Sequence, residues 1–393
     1  MTTHPGLQNG PIYLDYNATT PVDPAVVEAI VPYLSTHFGN PSSGHAYAAS
    51  TRQAASVARE QVAQLLHCQP SEIVFTGCGS ESDTLAIRGA ALMQRSRGNH
   101  IITQVTEHPA VLNICNALER LHGFRVTYLP VDAQGRVSLT DVEAAMDDQT
   151  TLITIMHANN ETGTLQPIAE IAEIAHQHGV LVHTDASQSV GKISTRIDDL
   201  GVDLLTVAGH KLYAPKGIGA LYVRDGLQLE PAIYGGGQEH GRRAGTENVA
   251  YMVGLGVACT LAFEQLTASK SRLQRLRDLL QHKLEQHLPN AVHLNGHLTE
   301  RLPNTLNVSI DDVIGEEVLA AIPGIASSTG SACHEGSTEP SSVLMAIGLS
   351  RERALGALRL TLGRWSTEEE MELASVLLIK SIDALRQKRY NRV

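Results

Sequence analysis

Cysteine is scarce in this chain. Five are present, Cys68, Cys78, Cys115, Cys259 and Cys333, and no two stand as C-x-x-C. Thiols that are few, odd in number and lack that spacing fit a reducing compartment, hence the cytoplasm, better than a disulfide framework. Aromatic residues make up 4%, with one Trp, so no stacking platform for bases is visible. Positive charge is short as well: 30 Lys and Arg stand against 41 Asp and Glu, a formal net charge of −11. A protein built on phosphate-backbone contacts carries the opposite surplus, which excludes nucleic-acid binding as the main task. No uninterrupted apolar run approaches the roughly 18 residues that span a bilayer, so no membrane partner is expected. The opening MTTHPGLQNGP shows neither a basic n-region nor an apolar core, so no secretory leader is expected. The 18 histidines form no H-E-x-x-H and no Cys/His quartet. His176 and His178 stand two apart and point different ways on a helix, so no metal site is expected.

What remains is a 393-residue chain, 42% hydrophobic and 18% charged, the balance of a folded protein. At about 150 residues per domain, two to three domains are expected. Short, mostly apolar segments read as strands: Ile73–Thr76, Ile101–Val105, Val126–Leu129, Leu152–Met156, Val180–Thr184, Leu204–Ala208 and Ala220–Val223. Uninterrupted apolar strands suit a sheet covered on both faces. Helical stretches lie between several of them, at Glu81–Met93, Ala110–His122, Leu139–Met146 and Pro167–His178. That rhythm predicts an α/β fold with a largely parallel sheet flanked by helices. After Thr246 the character changes. A long helix is expected over Val249–Gln286, short strands near Asn304–Ile310 and Leu358–Leu362, and a last helix from Ser366, together a smaller α+β domain. The Ser-, Gly- and Pro-rich stretch Ser327–Ser342 reads as an irregular loop.

Only seven lysines occur, and Lys211 follows the apolar run Leu204–Val207 in Ala208-Gly209-His210-Lys211. A lysine at the end of a buried strand either snorkels to a salt bridge or serves as a Schiff-base amine, its basicity lowered by burial. Its neighbours favour the second reading. Asp185 ends the strand VLVHTD one crossover upstream, so both stand at carboxyl ends of strands, where α/β sheets bind ligands. A pyridoxal phosphate site needs such a lysine and a carboxylate facing the ring nitrogen. Gln188, three residues on, is within reach of the ring hydroxyl. Thr76-Gly77-Cys78-Gly79-Ser80-Glu81 follows a strand and opens a helix, which suits a phosphate cradle but not the nucleotide P-loop pattern. Cys68, Cys115 and Cys259 lie in apolar helical text and read as small core residues. Cys78 sits in the phosphate turn. Cys333 sits in the Ser-Gly-Pro loop, where exposure and a neighbouring His334 favour a reactive thiol.

These segments resemble one family almost end to end: YLDYNATTPVDP (13–24), FGNPSSGH (38–45), ESD-LAIRG (81–89), TEHPAV (106–111), HANNETGTLQPI (157–168), HTDASQSVGK (183–192), AGHKLYAPKGIGALYV (208–223), GGGQEHGRRAGTEN (235–248), LPNT-N (302–307), SACHEGSTEPS (331–341) and LRLTLGR (358–364). The chain resembles the cysteine desulfurases of the nitrogen-fixation and iron–sulfur assembly type, class V aminotransferases of the pyridoxal-phosphate fold type I. The resemblance implies a large cofactor-binding domain over 16–260 with a mostly parallel mixed sheet. It implies a smaller α+β domain from 1–15 and 261–393 that carries the catalytic cysteine loop.

By the same resemblance Lys211 would hold the cofactor, His108 would stack on its ring and assist proton transfer, and Asp185 would pair with the ring nitrogen. Asn160 and Gln188 would bond the ring hydroxyl. Gly79, Ser80 and His210 would hold the phosphate, with Thr246 supplied by the partner of a homodimer. Arg359 would clamp the substrate carboxylate, and Asn40 would approach it. Cys333 would be the nucleophile that takes sulfur from L-cysteine, leaves L-alanine and passes the sulfur to an acceptor protein, a scaffold or a carrier. Two departures stand out: Ala208 where many relatives have Ser, and Ser80 where Thr is usual. The rival readings are a selenocysteine lyase, which SACH at 331–334 also resembles, a class V aminotransferase, and a non-catalytic sulfur-transfer scaffold. An aminotransferase needs no nucleophilic cysteine, and a scaffold needs neither Lys211 nor Asp185.

Overall fold

The computed structural model describes residues 3–330 and 339–390. The chain enters as a two-residue strand β1 (Ile12–Tyr13), then helices α1 (Pro24–Ser35) and α2 (Tyr47–Leu66). Strands and helices then alternate: β2 (Ile73–Thr76), α3 (Gly79–Met93), β3 (His100–Gln104), α4 (Pro109–His122), β4 (Arg125–Leu129), α5 (Leu139–Ala145), β5 (Thr150–Thr154), α6 (Ile168–Gln177), β6 (Leu181–Asp185), α7 (Ile197–Leu200), β7 (Leu204–Ala208) and β8 (Gly219–Val223). The 39-residue helix α8 (Val249–His287) leads into the C-terminal part. That part holds β9 (Val292–Leu294), β10 (Thr305–Ile310), α9 (Gly315–Ala320), β11 (Ile325–Ala326), α10 (Ser342–Ala346), α11 (Arg351–Leu355), β12 (Ala357–Thr361) and α12 (Glu368–Tyr390).

The strands from β2 to β8 form one seven-stranded sheet in the order β2-β8-β7-β6-β5-β3-β4. The β4-β3-β5-β6-β7 run is parallel throughout. Only β8 runs the other way, between β2 and β7. Consecutive residues of one strand enter opposite cores. Ile73, Ile102, Ile153 and Leu205 join one hydrophobic cluster, while Val74, Ile101, Leu152 and Leu204 join another. Both faces of the sheet are therefore covered, which is why these strands read as continuous apolar text. The direction in which successive strands are added reverses at β3, whose neighbours are β4 on one side and β5 on the other. The carboxyl ends flanking such a reversal form a crevice.

A second sheet, β12-β10-β9, is antiparallel. It packs with Leu276, Leu280, Met371 and Leu378 into a separate core that also takes in Ile12 and Leu14. Helix α8 serves both cores, Ala250 to Ala262 in the first and Leu273 to Leu284 in the second. Its early part is long and apolar enough to cross a bilayer by length and composition, but half of that window is buried inside the protein. Small residues explain the close fit: a Cβ on Gly256 would lie 2.8 Å from Ala58 Cα of α2. The last helix starts after Thr367 with a reciprocal cap, Glu370 N–H donating to Thr367 Oγ1 at 3.2 Å and Thr367 N–H to Glu370 Oε2 at 3.0 Å. The N-terminal segment lies along the C-terminal sheet edge. β1 pairs with β11, and Thr361 N–H of β12 donates to Leu14 O at 2.8 Å. This carries residues 15–18 from the small core to the mouth of the large sheet.

Candidate active site

One cavity of ≈ 660 Å³ opens at the carboxyl ends of β2, β3, β5, β6 and β7. Helix α3 begins on its wall. No side chain among the described residues caps α3, and Cys78, Gly79 and Ser80 all line the cavity. Uncapped first-turn amides and the positive end of the helix dipole favour an anion there. Glycine at 79 has a packing reason: a Cβ would meet Ala208 Cβ at 3.1 Å and Ser187 Oγ at 3.3 Å. Close approach of α3 to the end of β7 thus depends on a missing side chain.

After β3 comes His108, the N-cap of α4 with Pro109 at the first helical position. Its Nδ1 accepts from Ala110 N–H at 3.1 Å. That bond fixes the ring and places the proton of the neutral form on Nε2. Burial lowers the His108 pKa, and Lys211 lowers it further against the opposing effect of Asp185. Beyond β5, Asn160 lines the cavity, and its backbone carbonyl accepts from Asn17 Nδ2 at 3.1 Å. β6 ends in Asp185, buried, with Oδ1 accepting from Ser187 N–H at 2.8 Å. Gln188 follows on the same wall.

β7 delivers His210 and Lys211 on a short 3-10 turn. Lys211 Nζ donates to the backbone carbonyls of Asn17 and Ala18, both at 2.6 Å. No carboxylate among the described residues is in salt-bridge contact with it. Burial first, then the Arg359 charge, brings its amine down to about 8. His210, held by Thr19 Oγ1 at 3.1 Å, is pushed down to about 4 by burial and by Lys211. The C-terminal sheet contributes Arg359 of β12. Its NH2 reaches Asp15 Oδ1 at 2.9 Å and its NH1 the carbonyl of Asn160 at 3.4 Å. Its Nε is buried without a partner among the described residues.

Gly79, Ser80, His108, Asn160, Asp185, Gln188, His210, Lys211 and Arg359 thus meet around one cavity. Two expected residues do not. Asn40 is exposed, its Oδ1 accepts from Ser42 N–H at 2.9 Å, and it does not line the cavity. Thr246 lines a smaller, separate cavity of ≈ 150 Å³ with Gly77 and Glu239. Cys333 lies outside the described residues. Of the remaining cysteines, Cys115 and Cys259 are buried, Cys68 is half-buried and Cys78 is exposed.

The sequence reading missed four acidic wall residues, Asp15, Asp83, Glu107 and Glu161. Glu107 Oε1 accepts from Met156 N–H at 2.7 Å and Gln104 Nε2 at 2.8 Å, while its Oε2 is buried without a partner among the described residues. Burial raises its pKa to about 8. Asp83 is raised well above the carboxylate range by burial and by Asp185. Glu161 accepts from Ser341 Oγ at 2.5 Å and is raised to about 7 by burial. Each adjoins a residue or motif singled out above. That adjacency was the only signal in the text, and it does not reveal which way a side chain faces.

With this geometry in place, comparison with known proteins gives the lineage. The class-V aminotransferase family model matches residues 12–373. The chain belongs to that family. A protein of Nostoc sp. named cysteine desulfurase is 48% identical over 377 residues, covering 95% of this chain and 94% of its own. The solved structure titled NifS-like protein superposes with a TM-score of 0.89 at 37% identity, covering 95% of this chain and 99% of its own. A structure titled SspA in complex with cysteine superposes with a TM-score of 0.80 at 41% identity, covering 91% and 100%.

Proposed function

We propose that this chain is a pyridoxal-phosphate-dependent cysteine desulfurase that converts L-cysteine to L-alanine and passes the sulfur through a persulfide on Cys333 to an acceptor protein. The observation that carries the reading is the convergence of Lys211, Asp185 and His108 with the uncapped start of α3 on one cavity. The cysteine desulfurase named above, alike over nearly its whole length, supports the substrate.

The cavity fits the cofactor. A half-buried amine stands on one wall, a buried carboxylate on another, and a glycine-opened helix start on a third. Lys211 would hold the aldehyde carbon, Asp185 the ring nitrogen, and Gly79, Ser80 and His210 the phosphate. When bound, pyridoxal phosphate supplies a carbonyl for the substrate amine and an electron-accepting ring. This chain's own residues do the rest. Arg359 orients the substrate carboxylate, displacing or sharing Asp15. Lys211, with its amine brought down to about 8, moves the proton at the substrate Cα. His108 offers Nε2–H on the open side of its ring. The Cys333 thiolate attacks the substrate sulfur. The S–S bond forms as the C–S bond breaks, the electron pair stays with the substrate carbon, and that carbon takes a proton on the way to alanine.

The same reading makes the molecule a cytoplasmic homodimer with Thr246 supplied across the interface. Thr246 lies outside the cavity of its own chain, which leaves it free for a partner's site. It also divides the chain into 16–260 and 1–15 with 261–393, in keeping with two separate cores. The test uses wild type and Cys333→Ala with L-cysteine. Wild type releases alanine and gains the mass of one sulfur atom on the Cys333 peptide, while the variant releases none. Full alanine release by Cys333→Ala refutes the reading. Turnover of selenocysteine alone by that variant favours a selenocysteine lyase instead.

A further inference from the structure

Lys192 is a second amine near this cavity, more deeply buried than Lys211, and the mechanism above does not use it. Only 8% of its surface is exposed. Its Nζ donates to Gln188 Oε1 at 3.0 Å, one turn back along the chain. No salt bridge involves it among the described residues, so it is a costly way to fill that space. The other end of the same carboxamide is also held. Gln188 Nε2 donates to Asn17 O at 2.9 Å, the carbonyl that accepts from Lys211 Nζ.

A carboxamide fits its site in two orientations, with donor and acceptor exchanged. An amine that donates and a peptide carbonyl that accepts select one of them. Oε1 is committed to Lys192, and one Nε2 hydrogen goes to Asn17. The second Nε2 hydrogen is left for whatever occupies the cavity that Gln188 lines.

We propose that Lys192 is a positioning residue: by pinning the Gln188 carboxamide it presents an N–H donor, not a carbonyl acceptor, to the ring hydroxyl of bound pyridoxal phosphate and so favours the ionised hydroxyl. Lys192 touches neither substrate nor cofactor. The inference rests on the cofactor reading above. Burial and the charge of Lys211 bring the Lys192 amine down to about 7, and the neutral amine still donates. The charged and titratable groups facing the cavity are Asp15, Asp83, Glu107, Glu161, Asp185, Arg359, Lys211, His108, His210 and Cys78. All remain in the variants below, so their contributions cancel in the comparison.

The experiment loads wild type, Lys192→Met, Gln188→Leu and the double variant with pyridoxal phosphate. It measures the dissociation constant of the cofactor and the pH midpoint of its visible absorption band. Lys192→Met moves the midpoint up by about one pH unit and weakens cofactor binding about tenfold, the low end for a hydrogen bond to a charged group. Added to Gln188→Leu, it moves neither quantity further, because its route through Gln188 is gone. Lys192→Gln, neutral and able to present either end of its amide, gives an intermediate shift. A folded Lys192→Met with both quantities at wild-type values overturns the proposal, as does an additive effect in the double variant. Should Lys192→Met not fold, an unchanged midpoint in Lys192→Gln overturns it equally. A wild-type chain that takes up no pyridoxal phosphate overturns the cofactor reading and this inference together.

Discussion

Replacing Arg359 by Lys keeps the charge and removes the fork. In the structure the Arg359 side chain is 8% exposed and bonds Asp15 Oδ1 through NH2 at 2.9 Å. NH1 reaches only a carbonyl at 3.4 Å, and Nε has no partner among the described residues. The guanidinium therefore has donors to spare for a second carboxylate, which the proposed function assigns to the substrate. Arginine gives a carboxylate two parallel bonds where lysine gives one. Losing one charge-assisted hydrogen bond costs about 1.5–3 kcal/mol, so KM for L-cysteine rises about 10- to 150-fold. The reacting atoms are untouched, and kcat stays within a few-fold. Stability falls by only about 1 kcal/mol, because Asp15 is one-fifth exposed and keeps a cation beside it. Alanine release over a range of L-cysteine concentrations gives KM and kcat. Release of sulfide from cysteamine, which has no carboxylate, with dithiothreitol present to reduce the persulfide, serves as the control and changes little. A KM within twofold of wild type, or an equal loss with cysteamine, refutes the assignment of Arg359 to the substrate carboxylate.

Three further outcomes are expected. Glu107, raised to about 8, binds a proton in the folded state that the unfolded chain gives up near 4.5. Wild-type stability therefore falls as pH rises between those values, and denaturant melts of Glu107→Gln lack about 2–4 kcal/mol of that loss; parallel pH profiles sink the idea. Gly79→Ala forces a methyl against Ala208 and Ser187, so the protein loses about 1–2 kcal/mol and binds pyridoxal phosphate more weakly, measured by thermal melts and by equilibrium dialysis. Lys211→Ala with bound cofactor lacks the wild-type visible band. Mixed with Thr246→Val under subunit exchange, it regains about a quarter of wild-type activity, since half of the dimers then hold one intact site; no gain from two well-folded parents removes the shared site.

Strand positions and several of the residues that meet at the cavity were legible in the text for a shared physical reason. β2 and β7 run over the residues expected, and β3 to β6 and β8 lie within two residues of expectation, because a sheet buried on both faces demands unbroken apolar segments. Lys211 and Asp185 follow such segments directly, so the sequence by itself placed them at the ligand-binding edge. Helices α1 and α2 went unread. α1 is rich in β-branched residues and carries Pro32 inside it, and both form against α8, some 200 residues away in the chain. The reversed direction of β8 was equally hidden, since an apolar strand reads alike both ways. Tertiary structure alone decided which wall each side chain faces. It turned Asn40 outward, set Asp15 against Arg359, buried Glu107 and Asp83 beneath the site, and locked Gln188 between Lys192 and Asn17. Those pairings join residues up to 344 positions apart. A local pattern records which residues are apolar and where a strand ends, whereas a partner across the molecule is fixed only when the two cores pack and bring their edges together.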